Sequence, residues 1–389
     1  ISMNSLDHFA SAKLQDLSAK SLRRELIETY RVDTSIALRN SKRLISFSCN
    51  DYLNLASDPR VKEAAQQAID RYGVGAGASR LVTGNHPLYR QLEKMLANLK
   101  QTEDACVFGS GYLANLGIIP TLISKNDLLI VDELSHACIL AGSRLCSSTV
   151  ELFRHNDVKH VKQILDDQRS NFDKIMIVTD GVFSMDGDIA PLEKLARLSS
   201  DYNAWLMTDD AHGVGVLGNG AGSSFIGTTK IDIPLQMGTL SKAIGTYGGY
   251  LCASKPVIDL IKTRARTLIY STGLPPAVIG ASIAALEIIK RETDLVQKPL
   301  KNAQLFTRLT NLPAAESSIV PLILGDTERT LAASEELEKN GFLVTAIRPP
   351  TVPPKTARLR FAFTAGHKSS DIERLAVVVR RDILNEEDH

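Results

Sequence analysis

Apolar residues recur along this chain at two spacings, and their alternation predicts most of the architecture. Leu6, Phe9, Leu14, Leu17, Leu22 and Leu26, set among charges, have the spacing of one helix face and predict an amphipathic arm over residues 5–30. Residues 44–49 (Leu-Ile-Ser-Phe-Ser-Cys) alternate as a strand does, and a helical pattern follows over 59–71. Residues 73–80 form a glycine-rich loop with neither the lysine nor the preceding strand of a P-loop. From residue 85 the two patterns take turns. Helices are expected over 87–100, 112–123, 137–146, 157–169 and 191–202. Strands are expected over 104–108, 127–132, 149–153, 174–179, 204–209, 233–237 and 249–254. Continuous apolar strands separated by helices predict an α/β fold, with a mostly parallel seven-stranded sheet covered by helices on both faces. Residues 256–291 carry one long helical pattern. Beyond residue 300, helices mix with strands 319–324, 342–346 and 358–363, which predicts a smaller α+β domain. The expected organisation is an N-terminal helical arm over 1–45, a large domain over 46–290 and a small domain over 291–389.

Composition narrows the class. The 389 residues suit two domains, and 44% hydrophobic with 23% charged residues supports a sizeable core. The 45 basic and 44 acidic residues leave a net charge of +1, and no basic run is interleaved with aromatics, so no nucleic-acid partner is expected. No apolar run has the length of a membrane span. Asp7, Lys13, Asp16, Lys20, Arg23, Arg24 and Glu25 interrupt the first thirty residues and leave no signal-peptide core. The five cysteines are scattered without a C-x-x-C pair, which suggests buried thiols in a reducing compartment. A cytoplasmic location is the expectation.

Chemistry gathers where strands finish, the place where open α/β sheets bind ligands. Strand 104–108 runs into Gly109-Ser110-Gly111-Tyr112, which opens a helix whose free N–H groups suit a phosphate, although an ordinary turn has the same letters. Strand 127–132 leads to His136. Strand 174–179 leads to an acidic, glycine-rich loop over 180–188 that lacks both the ligand spacing and the closing glutamate of a calcium loop, so no metal is expected. Strand 204–209 ends in Asp209-Asp210-Ala211-His212-Gly213. A carboxylate buried there needs a cationic partner, and a protonated pyridine nitrogen is one. Lys242 sits in the small and hydroxylic stretch 238–249 and can form a Schiff base with a carbonyl cofactor. On that stretch alone, a solvated loop lysine is the commoner case.

The order of these features carries more than any one of them. Phe47-Ser48-Cys49-Asn50-Asp51-Tyr52-Leu53, Ser110-Gly111-Tyr112-Leu113-Ala114-Asn115, Ser135-His136-Ala137, Gly181-Val182-Phe183-Ser184-Met185-Asp186-Gly187, Asp209-Asp210-Ala211-His212-Gly213 and Thr239-Leu240-Ser241-Lys242 span nearly the whole chain. In these motifs the chain resembles the α-oxoamine synthase family of fold-type I pyridoxal-phosphate enzymes. The resemblance implies that Lys242 carries pyridoxal 5'-phosphate, that Asp209 faces its ring nitrogen, that His212 and Ser184 approach the ring hydroxyl, and that His136 covers the ring. It implies phosphate contacts from Gly111, Tyr112 and Thr239, with Thr272 reaching in from a second subunit of a homodimer with shared active sites. Arg360 and Asn50 are implied for an amino-acid carboxylate, and Arg23, Thr351 and Arg348 for an acyl substrate. Within the family, residues 346–353 followed by Ala357-Arg358-Leu359-Arg360 resemble the biotin-pathway acyltransferases. Those members condense L-alanine with a pimeloyl thioester of coenzyme A or acyl-carrier protein. A sister reaction of glycine with acetyl-CoA, and a catalytically silent partner subunit, are the alternatives.

Overall fold

The computed structural model describes residues 4–385; the first three residues of the expected arm and the last four of the expected small domain lie outside the described residues. Seven strands form the main sheet, in the spatial order Asp104–Phe108, Gly249–Ala253, Leu235–Thr239, Trp205–Asp209, Ile175–Asp180, Leu128–Asp132 and Thr149–Phe153. Gly249–Ala253 runs antiparallel to both its neighbours, and the remaining pairs are parallel. The apolar runs divide by parity, as a period of two requires. Leu129, Val131, Met176, Val178 and Met207 join the core on one face, and Leu128, Ile130, Ile175, Ile177 and Leu206 join that on the other. With both faces covered, neither needs polar residues, which is why these strands read as continuous apolar runs.

Helix boundaries follow local chemistry. Ser110 caps the helix Gly111–Leu122, its hydroxyl accepting the Leu113 N–H at 3.0 Å. Asp58 caps Pro59–Tyr72, with proline at the first helical position where its missing N–H costs nothing. The long helical pattern over 256–291 is three helices, Lys255–Arg264, Arg266–Ile269 and Pro276–Arg291. Proline at the start of the last explains the break, because its ring disfavours helix in the residue before it.

Two further expectations are corrected. The arm is helical only over Ser5–Ala19; Thr29–Arg31, Ile36–Arg39 and Lys42–Ser46 are strands. They build a second sheet that Phe342–Leu343 completes in parallel with Lys42–Ser46. The strand expected over 342–346 is split: Phe342–Leu343 joins that sheet, while Thr345–Ile347 joins Ile319–Gly325 and Ala357–Ala362 in a third. Phe47, Phe306, Phe342, Phe361 and Phe363 pack at the centre of this C-terminal region. The pairing of Phe342–Leu343 with Lys42–Ser46, and the Ala362 N–H bond to Phe47 O at 2.7 Å, tie the two ends of the chain together.

Candidate active site

All main-sheet strands except Gly249–Ala253 point the same way, so Phe108, Asp132, Asp180, Asp209 and Thr239 finish at one edge. There a cavity of about 160 Å³ is lined by Gly111, Tyr112, His136, Asp209, His212, Thr239 and Lys242 among others. Seven expected site residues, drawn from four strand ends, are therefore brought together.

Asp209 and Asp210 follow each other in sequence but turn to different surroundings. Asp209 is buried; its Oδ2 accepts the Asn115 amide N–H at 2.9 Å and its Oδ1 the Ala211 N–H at 3.0 Å. Both donors are neutral. Asp210 is paired at 2.5 Å with the fully buried Lys100 and held by the Ser223 hydroxyl and N–H. Asp210 thus has its cation, whereas Asp209 has no ion-pair partner within 4 Å among the described residues and faces the cavity, where a positive group would complete it.

Lys242 follows the strand Leu235–Thr239 in a turn closed by the Gly245 N–H bond to Lys242 O. Burial pulls its amine below the ordinary lysine value, although Asp209 pulls the other way. The Thr239 hydroxyl donates to Gly248 O at 2.8 Å, lies 2.7 Å from Ser241 Oγ and accepts the Ser241 N–H. Opposite stands the N-terminus of Gly111–Leu122, whose first-turn N–H groups have no partner within the helix. The site therefore offers an amine and a carboxylate, with an anion cradle beside them.

His136 caps its own helix, its Nδ1 accepting the Cys138 N–H, and its backbone N–H donates to Asp180 Oδ2 at 2.9 Å. Burial and the charge of Asp209 push the Asp180 carboxyl well above its usual value. His212 Nδ1 lies 2.7 Å from the Tyr52 hydroxyl. Burial, with the charges of Lys242 and Arg360 adding to it, holds His212 well below the ordinary imidazole value, so it is neutral at physiological pH.

Arg360 and Asn50 meet beside this cavity: both terminal nitrogens of the guanidinium donate to Asn50 Oδ1 at 3.1 Å, and Nε donates to Ser184 O at 2.5 Å. Ser184 is half-buried and outside the cavity lining. Thr272 is exposed, bridged to Ser79 of the glycine-rich loop, and is not part of the lining within one chain. At the acyl side, Arg348 donates to Ser21 O at 2.6 Å, and Thr351 accepts from Arg24 at 3.1 Å. Arg23 is exposed; of the two adjacent arginines it is Arg24 that reaches Thr351.

Four residues join the site without having been singled out from sequence. Asn115 bonds both Asp209 and the Cys138 thiol, and that thiol lies 2.9 Å from His136 Nδ1. Tyr52 links His212 to Asn50 (its hydroxyl is 3.3 Å from Asn50 Oδ1), and burial pushes its pKa up to about 12. Asp180 was hidden inside an expected loop. Asn115 closes the motif Ser110-Gly111-Tyr112-Leu113-Ala114-Asn115 without a role having been assigned to it, and its place in an apolar helix, flanked by Ala114 and Leu116, was a second sequence signal.

Comparisons with known proteins fit this geometry. The 8-amino-7-oxononanoate synthase of Beijerinckia indica subsp. indica is 59% identical over 97% of this chain and 98% of its own. The 8-amino-7-oxononanoate synthase of Methylocella silvestris is 61% identical over 88% of this chain and 98% of its own. Among solved structures, a serine palmitoyltransferase from S. paucimobilis superposes with a TM-score of 0.91 at 27% identity, covering 97% of this chain and 98% of that one. The 8-amino-7-oxononanoate synthase of Francisella tularensis superposes with a TM-score of 0.75 at 27% identity over 88% of this chain and 98% of its own. The family model for aminotransferase class I and II matches residues 42–379, and with near full-length likeness to those synthases the chain belongs to the 8-amino-7-oxononanoate synthases within that larger family.

Proposed function

We propose that this chain condenses L-alanine with a pimeloyl thioester to 8-amino-7-oxononanoate, releasing carbon dioxide and the free thiol in a step of biotin synthesis. Pyridoxal 5'-phosphate is the cofactor, held at Lys242. The observation that carries the reading is the buried Asp209, without an ion-pair partner within 4 Å among the described residues, sharing with the half-buried Lys242 a cavity that also opens on a helix N-terminus. A protonated pyridine nitrogen supplies the charge that Asp209 lacks, the Lys242 amine suits the aldehyde, and the Gly111 turn with Thr239 suits the phosphate. The residues present therefore fit the group.

When bound, pyridoxal phosphate supplies an electron sink for the α-carbon of the amino acid. The chain's own residues do the rest. Asp209 holds a proton on the ring nitrogen. Arg360, its fork set by Ser184 O and Asn50, receives the alanine carboxylate. Lys242, whose amine burial keeps more readily neutral than a free lysine, removes the alanine α-proton and returns one after decarboxylation. His212 stays neutral, which suits a hydrogen-bonding role toward the ring hydroxyl, and His136 closes the cavity from the other side. Arg348, Thr351 and Arg24 line the approach of the acyl substrate, and Arg23 stands beside them.

Thr272, exposed and outside the lining of its own chain, is suited to complete the site of a second subunit in a homodimer. No described helix is long and apolar enough to cross a membrane. The test is thiol release by the purified protein with added pyridoxal phosphate, comparing L-alanine with glycine and pimeloyl with acetyl thioesters. Release that requires both alanine and the pimeloyl group is expected; equal or better turnover of glycine with acetyl thioester would move the chain to the sister reaction. Arg360→Lys, which loses the planar fork, is expected to raise the KM for alanine.

A further inference from the structure

Outside the cavity, the sequence Arg154-His155-Asn156 follows the edge strand Thr149–Phe153 and inserts between two strand-end loops. His155 Nδ1 lies 3.1 Å from Asp132 Oδ1, and Nε2 lies 2.7 Å from Asp188 Oδ2. Asn156 doubles the link: its backbone N–H donates to Asp132 Oδ2 at 2.9 Å and its amide to Asp188 Oδ2 at 3.0 Å. The imidazole also stands edge-on to Phe183, with ring centroids 4.4 Å apart and planes at 89°. None of these groups lines the cavity.

The two carboxylates belong to the loops that carry the site. Asp132 is fully buried, accepts the Leu134 N–H, and starts the turn that presents His136. Asp188 closes the loop 183–188, its carbonyl accepting the Phe183 N–H. Asp188 Oδ1 is buried without a hydrogen-bond partner among the described residues, so the hold on this carboxylate comes through Oδ2. The far side of the same loop holds the strand Ala357–Ala362. Arg358 pairs with Asp186 at 2.5 Å and donates to Met185 O, and Arg360 donates from Nε to Ser184 O. The loop is thus fixed on one flank by His155 and sets the guanidinium fork of Arg360 on the other.

We infer that His155 is a positioning residue: by clamping Asp188 to Asp132 it fixes the loop 183–188, and through Ser184 O it fixes Arg360 for the substrate carboxylate. The inference rests on the proposed role of Arg360. Burial would lower the imidazole pKa, but the hydrogen bonds and charges of Asp132 and Asp188 outweigh it and hold the group at about 10, so the clamp is cationic across the physiological range. A neutral side chain of similar reach can still donate to one of these carboxylates, but it brings no positive charge between them and cannot present two opposed ring N–H donors, so the bridge from Asp132 to Asp188 is weakened.

The test is steady-state kinetics of the loaded enzyme in His155→Gln and Asp188→Asn, alone and combined with Arg360→Lys. Each clamp variant is expected to raise the KM for L-alanine about ten- to a hundredfold, the scale of a small misplacement of a binding group. The KM for the thioester and the cofactor's visible absorbance should stay at the wild-type values. In the Arg360→Lys background the same substitutions should add little, because the fork they position is gone. An alanine KM unchanged in both clamp variants overturns the inference while leaving the Arg360 assignment standing. An effect that persists undiminished in Arg360→Lys overturns the route through Arg360. An unchanged alanine KM in Arg360→Lys alone overturns the carboxylate reading, and the route with it. Should His155→Gln fail to accumulate as folded protein, Asp188→Asn poses the same question from the loop side.

Discussion

At the scale of single residues, the site is a set of charges placed by what neutralises them. Asp209 and Asp210 show the rule: Lys100 reaches one, and the other is left for the cavity. Asn115 is the residue that makes Asp209 tolerable, because its amide is one of only two hydrogen-bond donors that carboxylate has among the described residues. Asn115→Ala is therefore expected to cost about 1.5–3 kcal/mol, the worth of a hydrogen bond to a charged group. Urea unfolding of the cofactor-free protein measures it, and a change within a few tenths would show that the bond is not needed. The sequence made Asp209, Lys242, His136 and His212 legible because each stands at or just beyond the end of an apolar strand. Asn115 was not legible in the same way, since nothing in an apolar helix says which neighbour a lone amide faces. Nor could two adjacent arginines be told apart: whether Arg23 or Arg24 reaches Thr351 depends on how the chain leaves the N-terminal helix, a tertiary matter.

At the scale of elements, the strand ends and the helix starts had to meet without intervening side chains. Gly249 opens the one antiparallel strand of the main sheet, and a Cβ there would fall 2.5 Å from Ser110 O and 2.8 Å from Gly111 Cα. Both are backbone atoms of the turn proposed to hold the phosphate, so neither can swing away. Gly249→Ala is expected to push that turn from Thr239 and weaken cofactor affinity by about 1–3 kcal/mol, a factor of roughly 5 to 150. Equilibrium titration with pyridoxal phosphate checks it; unchanged affinity would mean that the turn is not the anchor. The seven strands were readable because burial on both faces makes them uniformly apolar. Strand 342–346 was not, because its residues serve two sheets and a single apolar run does not reveal a change of partner at Val344. The helical period likewise ran across 256–291, although Pro275-Pro276 was a visible signal for its last break.

At the scale of the whole molecule, the two ends of the chain are stitched together around His367. Its Nδ1 accepts the Thr364 N–H at 2.9 Å, its Nε2 lies 2.8 Å from Ser46 O, and its ring stacks on Phe47 with centroids 4.1 Å apart. Burial holds its pKa down at about 4, so the folded protein keeps this imidazole neutral. The unfolded chain takes up a proton below about 6.5. Stability from this group is thus present above 6.5 and is lost as pH falls from there through 4. The thermal midpoint of wild type is expected to fall over that window, and His367→Gln, which cannot be protonated, should fall less steeply. Parallel curves would remove His367 from the account. Thr29–Arg31 and Ile36–Arg39 fall within the expected helical arm, and this stitching explains the miss: they pair in series onto Lys42–Ser46, which overlaps the expected strand 44–49 and itself pairs with Phe342–Leu343, nearly three hundred residues away in sequence.

The most direct test of the account is exchange of the α-proton of L-alanine into deuterated water by the pyridoxal-phosphate-loaded protein, followed by NMR. It isolates the step assigned to Lys242 from thioester binding and from product release. Wild type is expected to exchange the proton readily, and Lys242→Ala to slow it by about 10²–10⁴-fold, the usual worth of a positioned acid–base group. Exchange at the wild-type rate in Lys242→Ala would contradict the account at its centre.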